Sequence, residues 1–118
     1  MKQSSITLNK KFNKYLIYKN EALPKEFKLH KCYQYLNNPT KLIVFDIPKS
    51  NNLFTKNIKT RLTVLDVFKR EVVTLVNEKL MAGRYEVSWN TSNYVKGLYY
   101  YKLAAGNYEE THKIILEK

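Results

Sequence analysis

The residues best suited to chemistry in this 118-residue chain are two histidines, one cysteine and two adjacent glutamates. His30 and Cys32 supply the side chains of a base and a nucleophile, but no third residue is placed to orient them. His30 and His112 lie too far apart for a short metal-binding motif, and a lone cysteine forms neither an intramolecular disulfide nor a zinc cluster. On a strand, Glu109 and Glu110 would point to opposite faces and could not flank one bond. The sequence therefore predicts a non-enzymatic protein without a metal or cofactor.

Three consecutive tyrosines, Tyr99 to Tyr101, are the other candidate for a binding site. Aromatic side chains of this kind stack on bases in proteins that bind single-stranded nucleic acid. In a strand, however, Tyr99 and Tyr101 share a face with Leu103, which favours packing in a core. The three glycines of the chain are too scattered to form a phosphate-binding loop. No small-molecule substrate is predicted.

The net charge of +11 is unevenly distributed along the chain. Residues 1–31 carry eight lysines and two glutamates, residues 32–60 contribute +3, and residues 61–118 contribute only +2. A basic first half could attract nucleic-acid phosphates or an anionic membrane surface. We favour the interpretation that these lysines are simply solvated, because most of the charge lies outside residues 61–118, where the strand pattern is strongest.

No apolar run is long enough to span a membrane. The first eleven residues are positively charged but lack the apolar core of a signal peptide. The chain as printed is therefore expected to remain in the cytoplasm unless a signal peptide and a cargo accompany it.

Alternating apolar and polar residues predict strands along most of the chain. The segments are residues 41–47, 62–67, 85–89, 98–103 and 113–116, and they are rich in β-branched and aromatic residues. Short turn-forming segments separate them, and no helix of convincing length is predicted. The pattern predicts an all-β fold, a small immunoglobulin-like antiparallel β-sandwich of about seven strands. We expect this domain to occupy residues 23–118, preceded by a poorly structured, basic segment over residues 1–22.

Six short phrases occur in the order found in one protein family. In this chain they read Leu-Pro-Lys-Glu-Phe-Lys-Leu at residues 23–29, Phe-Asp-Ile-Pro at 45–48, Val-Leu-Asp-Val-Phe-Lys-Arg-Glu-Val at 64–72, Ala-Gly-Arg-Tyr-Glu-Val at 82–87, Gly-Leu-Tyr-Tyr-Tyr-Lys-Leu at 97–103 and Glu-Thr-His-Lys-Ile-Ile-Leu-Glu-Lys at 110–118. The corresponding family phrases are Ile-Pro-x-x-Phe-x-Leu, Phe-x-Ile-Pro, Val-Tyr-Asp-x-x-Gly-Arg-x-Val, Ala-Gly-x-Tyr-x-Val, Gly-Val-Tyr-x-Tyr-x-Leu and Glu-Thr-Lys-Lys-x-x-Leu-x-Lys. Residues 23–118 thereby resemble the type A C-terminal sorting domain of proteins exported by the bacterial type IX secretion system. That domain has an immunoglobulin-like fold akin to one in flagellar hook-capping proteins.

Beyond single-residue differences within the phrases, three departures from the family pattern are important. Lys69 replaces a glycine whose role is to adopt a positive φ in a turn, at an expected cost of about 1 kcal/mol. The family's Asn-Pro-rich phrase is reduced to Tyr33, Asn38 and Pro39, and residues 51–58 resemble an insertion.

The resemblance implies a non-catalytic sorting signal. Outer-membrane secretion proteins recognise such a domain, and a sortase-like protease removes it and can attach the cargo to the cell surface. The residues to which the resemblance assigns recognition are Gly83, Tyr85, Gly97, Tyr99, Lys113, Leu116 and Lys118. Since neither a signal peptide nor a cargo domain is evident, we interpret the chain as a sorting module detached from its cargo.

Two alternatives belong to other functional classes. The chain could be a stand-alone immunoglobulin-like interaction module with no role in export, which the lack of a signal peptide favours. Binding to nucleic acid or an anionic surface through the basic first half is the weaker alternative, and it predicts a steep dependence of affinity on salt.

Overall fold

A computed structural model describes residues 4–9, 14–19, 22–32, 38–49 and 57–117, and these residues form strands and turns without a helix. The strands are β1 (Ser4–Asn9), β2 (Lys14–Lys19), β3 (Lys28–Leu29), β4 (Thr40–Ile47), β5 (Ile58–Leu65), β6 (Glu71–Leu80), β7 (Gly83–Asn90), β8 (Gly97–Ala105) and β9 (Tyr108–Leu116).

The strands form two antiparallel sheets. The first has the order β1-β2-β7-β4-β3 and the second the order β6-β5-β8-β9. Buried side chains from both sheets form one hydrophobic core, which is the arrangement of a β-sandwich. Seven of the strands, β3 to β9, lie within residues 23–118. The predicted fold class is confirmed.

The core follows from the alternation of side chains along the strands. In β4, Ile43, Phe45 and Ile47 are buried, as the sequence predicts for one face of this strand. Along β8 every second residue from Tyr99 to Ala105 is buried. Phe45 stacks on Tyr85 of the neighbouring strand β7 with ring centroids 5.2 Å apart, a geometry that adds to the gain from burial.

Within the segment predicted to be poorly structured, the described residues 4–9 and 14–19 form strands. β1 and β2 form an antiparallel hairpin, and β2 pairs with β7 in the register that places Leu16 opposite Glu86. The physical reason is that β7 would otherwise have an unpaired edge, and the β-prone residues 15–18 satisfy its backbone groups.

Strand β6 continues through the polar run Asn77-Glu78-Lys79 and ends at Leu80. The register of β5 against β6 shifts twice, between Leu62 and Thr63 and between Val64 and Leu65. Such bulges break the simple alternation. As a result, the consecutive residues Leu75 and Val76 are both buried.

The turn between β5 and β6 is organised by one carboxylate. The Asp66 side chain accepts hydrogen bonds from the backbone N–H of Phe68 at 2.8 Å and of Arg70 at 3.0 Å, and from Arg70 Nε at 2.9 Å. Lys69 has a φ of 67°, so the positive φ expected from the family's glycine is confirmed. Its ammonium group lies 3.5 Å from the ring centroid of Tyr100.

Replacing Lys69 with glycine is expected to give a more stable protein than replacing it with alanine, by about 1 kcal/mol in the free energy of unfolding. Both variants lose the contact of the ammonium group with Tyr100, so their difference isolates the cost of the positive φ. Urea denaturation of the two variants measures it. Equal stabilities would show that the turn does not strain an L-residue at this position.

Candidate recognition site

Four of the predicted recognition residues gather at one end of the β8–β9 hairpin. Gly97, which begins β8, pairs with Leu116, and Tyr99 pairs with Ile114. Lys113 stands opposite Tyr100, one step further along the ladder. The continuous register of this hairpin brings the four residues together, although they are up to nineteen positions apart in sequence.

These four residues differ in how far they reach the surface. Tyr99 and Leu116 are only 6% and 2% exposed, whereas Lys113 is exposed and Gly97 is half-buried. Gly97 has a φ of +141°, and a Cβ atom there would meet no heavy atom within 4 Å. Glycine is therefore needed for its backbone conformation rather than for space. Lys118 lies outside the described residues.

The remaining two residues lie in the other sheet and are not brought to the hairpin end. Gly83 begins β7 opposite Ile47, and Tyr85 follows on the same strand. The Tyr85 hydroxyl donates a hydrogen bond to the Met81 carbonyl at 2.7 Å. Burial, with a smaller contribution from Glu78, raises the pKa of Tyr85 to about 12. Both residues are buried and serve the core at the opposite end of the sandwich.

An aromatic cluster supports the hairpin end from inside. The ring of Tyr99 meets Trp89 edge-on at a centroid distance of 5.8 Å and Tyr94 at 6.4 Å. Its hydroxyl donates a hydrogen bond to the Val95 carbonyl at 2.7 Å. Tyr99 thus links β8 to the loop of residues 91–96 that precedes it. The core assignment of this tyrosine from its alternation is confirmed.

Glu110 and His112, two of the residues that first suggested chemistry, instead join the edges of the two sheets. Glu110 Oε1 accepts the backbone N–H of Leu29 at 2.8 Å, and the His112 ring Nε2 lies 2.8 Å from the Leu29 carbonyl, to which it donates. The same ring nitrogen lies 2.7 Å from Glu110 Oε2, and the Tyr108 hydroxyl also hydrogen bonds to this carboxylate. We call Leu29, Tyr108, Glu110 and His112 the β3–β9 clasp.

The carboxyl group of the clasp remains ionised to lower pH than usual. Burial opposes ionisation of Glu110, but hydrogen bonds from Tyr108, Leu29 and His112 outweigh it and lower the pKa.

A second link lies beside the clasp: the Tyr101 hydroxyl accepts the N–H of Cys32 at 2.7 Å and donates to the His30 carbonyl at 2.9 Å. These bonds cross from the second sheet to the segment after β3.

His30 and Cys32 do not form a nucleophile–base pair. The His30 ring hydrogen bonds to Asp46 at 2.9 Å, and Arg84 Nε binds the same carboxylate at 2.8 Å. Burial raises the pKa of Asp46, but its bonds with Arg84 and His30 outweigh burial, so the net shift is downward. Burial raises the pKa of the Cys32 thiol, which makes it a weaker nucleophile. Over the described residues, no group of three or more acidic, histidine or cysteine side chains could hold a metal ion.

The sequence predicts neither the β3–β9 clasp nor the hydrogen bonds of Asp46 with His30 and Arg84. Only the spacing of Tyr108, Glu110 and His112, two residues apart and hence on one strand face, could have indicated that they act together. Their partner is the backbone of Leu29, and a backbone group carries no signal in the sequence.

In the part of the chain that the structure describes, no helix is long and apolar enough to cross a membrane.

The structure thus defines a small immunoglobulin-like β-sandwich in which the potentially reactive side chains are held in structural bonds. A family model described as a secretion system C-terminal sorting domain matches residues 38–117. This is well over half of the chain, and the chain belongs to that family. Comparison with curated proteins and with solved structures gives no significant match. The match supports a sorting signal for type IX secretion. This family is not known for catalysis. Residues 23–37 lie outside the matched region.

Proposed function

We propose that this domain is a non-catalytic sorting signal that outer-membrane proteins of the type IX machinery recognise in its folded state. The cargo to which it is fused is then secreted or displayed at the cell surface, and a sortase-like protease removes the domain. The observation that carries the proposal is the family match over residues 38–117. The β-sandwich supports it, because a rigid domain with a regular edge strand suits recognition by another protein.

We assign recognition to the surface around Lys113 and Gly97, and to Lys118, which follows the described residues in sequence. Lys113 points outward from β9 and is exposed, so its charge can contact a partner directly. Tyr99 and Leu116 position this surface from below, since both are buried under it. Gly83 and Tyr85 contribute by maintaining the first sheet.

A secretion assay tests the proposal. The whole chain is fused behind a signal peptide and a reporter, in a bacterium with a working type IX system. We expect the reporter at the surface with the native domain and in the periplasm with Lys113→Glu. Lys79→Glu is the matched control, because Lys79 is an exposed strand lysine near the other end of the sandwich. Deleting residues 113–118 is unsuitable, since it removes the buried residues Ile114 and Leu116.

The alternative function gives a different result. If a folded native domain leaves the reporter in the periplasm, the sorting role is wrong, and a stand-alone interaction module explains the fold better. Circular dichroism of the purified domain establishes that it is folded. Secretion that is equal for Lys113→Glu and Lys79→Glu would remove Lys113 from the recognition surface while leaving the sorting role intact.

A further inference from the structure

Five of the eight large hydrophobic side chains found exposed among the described residues lie at the same end of the sandwich. They are Val67, Phe68, Val72, Val95 and Ile115, with exposed fractions of 51%, 73%, 36%, 77% and 52%. We call them the apolar tip. Exposed apolar side chains that gather in one region of a soluble domain are typical of an interaction surface.

Pairing between strands brings the segments that carry these residues to one end of the sandwich, and Val72 follows Glu71, which pairs with Leu65. Leu65, the last residue of β5, pairs with Tyr100, so the turn holding Val67 and Phe68 lies next to the start of β8. Val95 is held near the start of β8, because its carbonyl accepts a hydrogen bond from the Tyr99 hydroxyl. Ile115 belongs to β9 opposite Leu98.

The turn holds Phe68 in a fixed position. The carboxylate of Asp66 binds the backbone N–H of Phe68 itself and both the backbone and the side chain of Arg70. The Arg70 guanidinium lies 5.0 Å from the Phe68 ring centroid. A side chain carried by a backbone that is fixed before binding loses less entropy on entering a pocket than one on a flexible loop. Phe68 therefore has the properties of an interface anchor.

Cations surround the apolar tip. Lys96 follows Val95, Lys69 follows Phe68, and Lys113 lies two residues before Ile115; all three lysines are exposed. Of the acidic groups there, Asp66 is bound to Arg70 and Glu71 to Arg61. Glu117 is exposed without a described ion pair, but the three lysines outnumber it, so the surface is net positive.

We propose that the apolar tip docks into an apolar pocket, rimmed by carboxylates, on a protein of the secretion machinery, with Phe68 as the anchor. This inference rests on the proposed sorting function, and it adds the docking face and the chemistry of the partner. A protein pocket fits better than a lipid surface. Binding to a membrane scales with apolar area and gains nothing from a fixed side-chain position, whereas a pocket makes use of the rigid turn.

The first test compares Phe68→Ser with Met81→Ser in the secretion assay on the whole chain. Met81 is 64% exposed and lies in the β6–β7 turn at the opposite end. Truncating an interface anchor typically weakens binding by tenfold or more, so we expect surface reporter to fall about tenfold with Phe68→Ser. Met81→Ser should remain at the native level. Both purified variants should keep the native melting temperature, because neither side chain is buried.

Charge reversal provides a second test. Lys96→Glu at the tip should lower surface reporter, while Lys59→Glu, an exposed residue near the other end of β5, should not. Native-level secretion by folded Phe68→Ser protein would overturn the docking face and leave the sorting function standing. Failure of the native domain to reach the surface would overturn the sorting function and the docking face with it.

Sedimentation with lipid vesicles tests whether the apolar tip binds a membrane instead of a protein pocket. The purified whole chain is sedimented with vesicles of phosphatidylglycerol and phosphatidylcholine. We expect no difference between native protein and Phe68→Ser in the bound fraction. Binding that is lost with Phe68→Ser would show that the apolar tip contacts lipid and would overturn the protein pocket.

Discussion

Replacing Leu116 with alanine is expected to lower the free energy of unfolding by about 3 kcal/mol. The side chain is only 2% exposed and belongs to the hydrophobic core. Truncating a buried leucine costs its transfer free energy plus the cavity that remains, about 2–5 kcal/mol in total. Near the end of β9 the neighbouring chain can partly close such a cavity, which places the estimate in the middle of that range. Urea denaturation measures the loss.

Ile115→Ala is the matched control for this prediction. Ile115 is adjacent to Leu116 on the same strand but is half exposed, so its truncation should cost well under half as much. Similar losses from both substitutions would mean that the end of β9 does not pack as described. The comparison also matters for sorting, because a Leu116 variant that fails to be secreted has lost its fold and gives no information on recognition.

Replacing Tyr101 with phenylalanine should destabilise the domain by about 2–3 kcal/mol. The substitution removes one hydroxyl and leaves two backbone groups, the N–H of Cys32 and the carbonyl of His30, without their partner. Each buried polar group left unsatisfied costs about 1–3 kcal/mol, and access of water at the half-buried His30 reduces the sum. Burial raises the pKa of Tyr101 to about 12, so the hydroxyl remains a donor throughout the neutral range and the loss should not vary with pH there.

Tyr100→Phe controls for the loss of a hydroxyl in the same strand. Tyr100 faces away from the core, and the contact described for its side chain is that of its ring with the Lys69 ammonium group. Phenylalanine keeps this ring, so the stability should change by less than about 0.5 kcal/mol. Thermal or urea unfolding of the two variants gives the comparison. A Tyr101 variant as stable as the Tyr100 variant would contradict the link between β8 and the segment after β3.

Much of the sandwich could be predicted because alternation is a local property. In β4 and β8 the side chains alternate so regularly that the inward face follows from the sequence. The bulges of β6 could not be predicted, since an extra residue in one strand depends on the partner strand. The hairpin of β1 and β2 was missed for a similar reason: its pairing depends on the unpaired edge of β7, which lies far along the chain.

The candidate site was predictable only in part. Family resemblance indicates residues such as Gly97 and Leu116, but it does not say which of them reach the surface. Their burial depends on the stacking of two sheets, and this separates exposed Lys113 from buried Tyr99. The apolar tip has no pattern in sequence at all. Phe68 and Val95 come from different turns, and these turns lie at the same end of the sandwich because β5 and β8 are neighbours.

The β3–β9 clasp also bears on the order of events during synthesis. Its hydrogen bonds join residues 81 and 83 positions apart, and the ninth strand is the last of the described strands to leave the ribosome. Until then β8 has no neighbour on one side, and the edge of β3 is open. Contacts between such distant residues form late and slowly. A machinery that binds the closed sandwich would thereby accept only chains whose translation has passed β9, so the fold itself acts as a check on completeness.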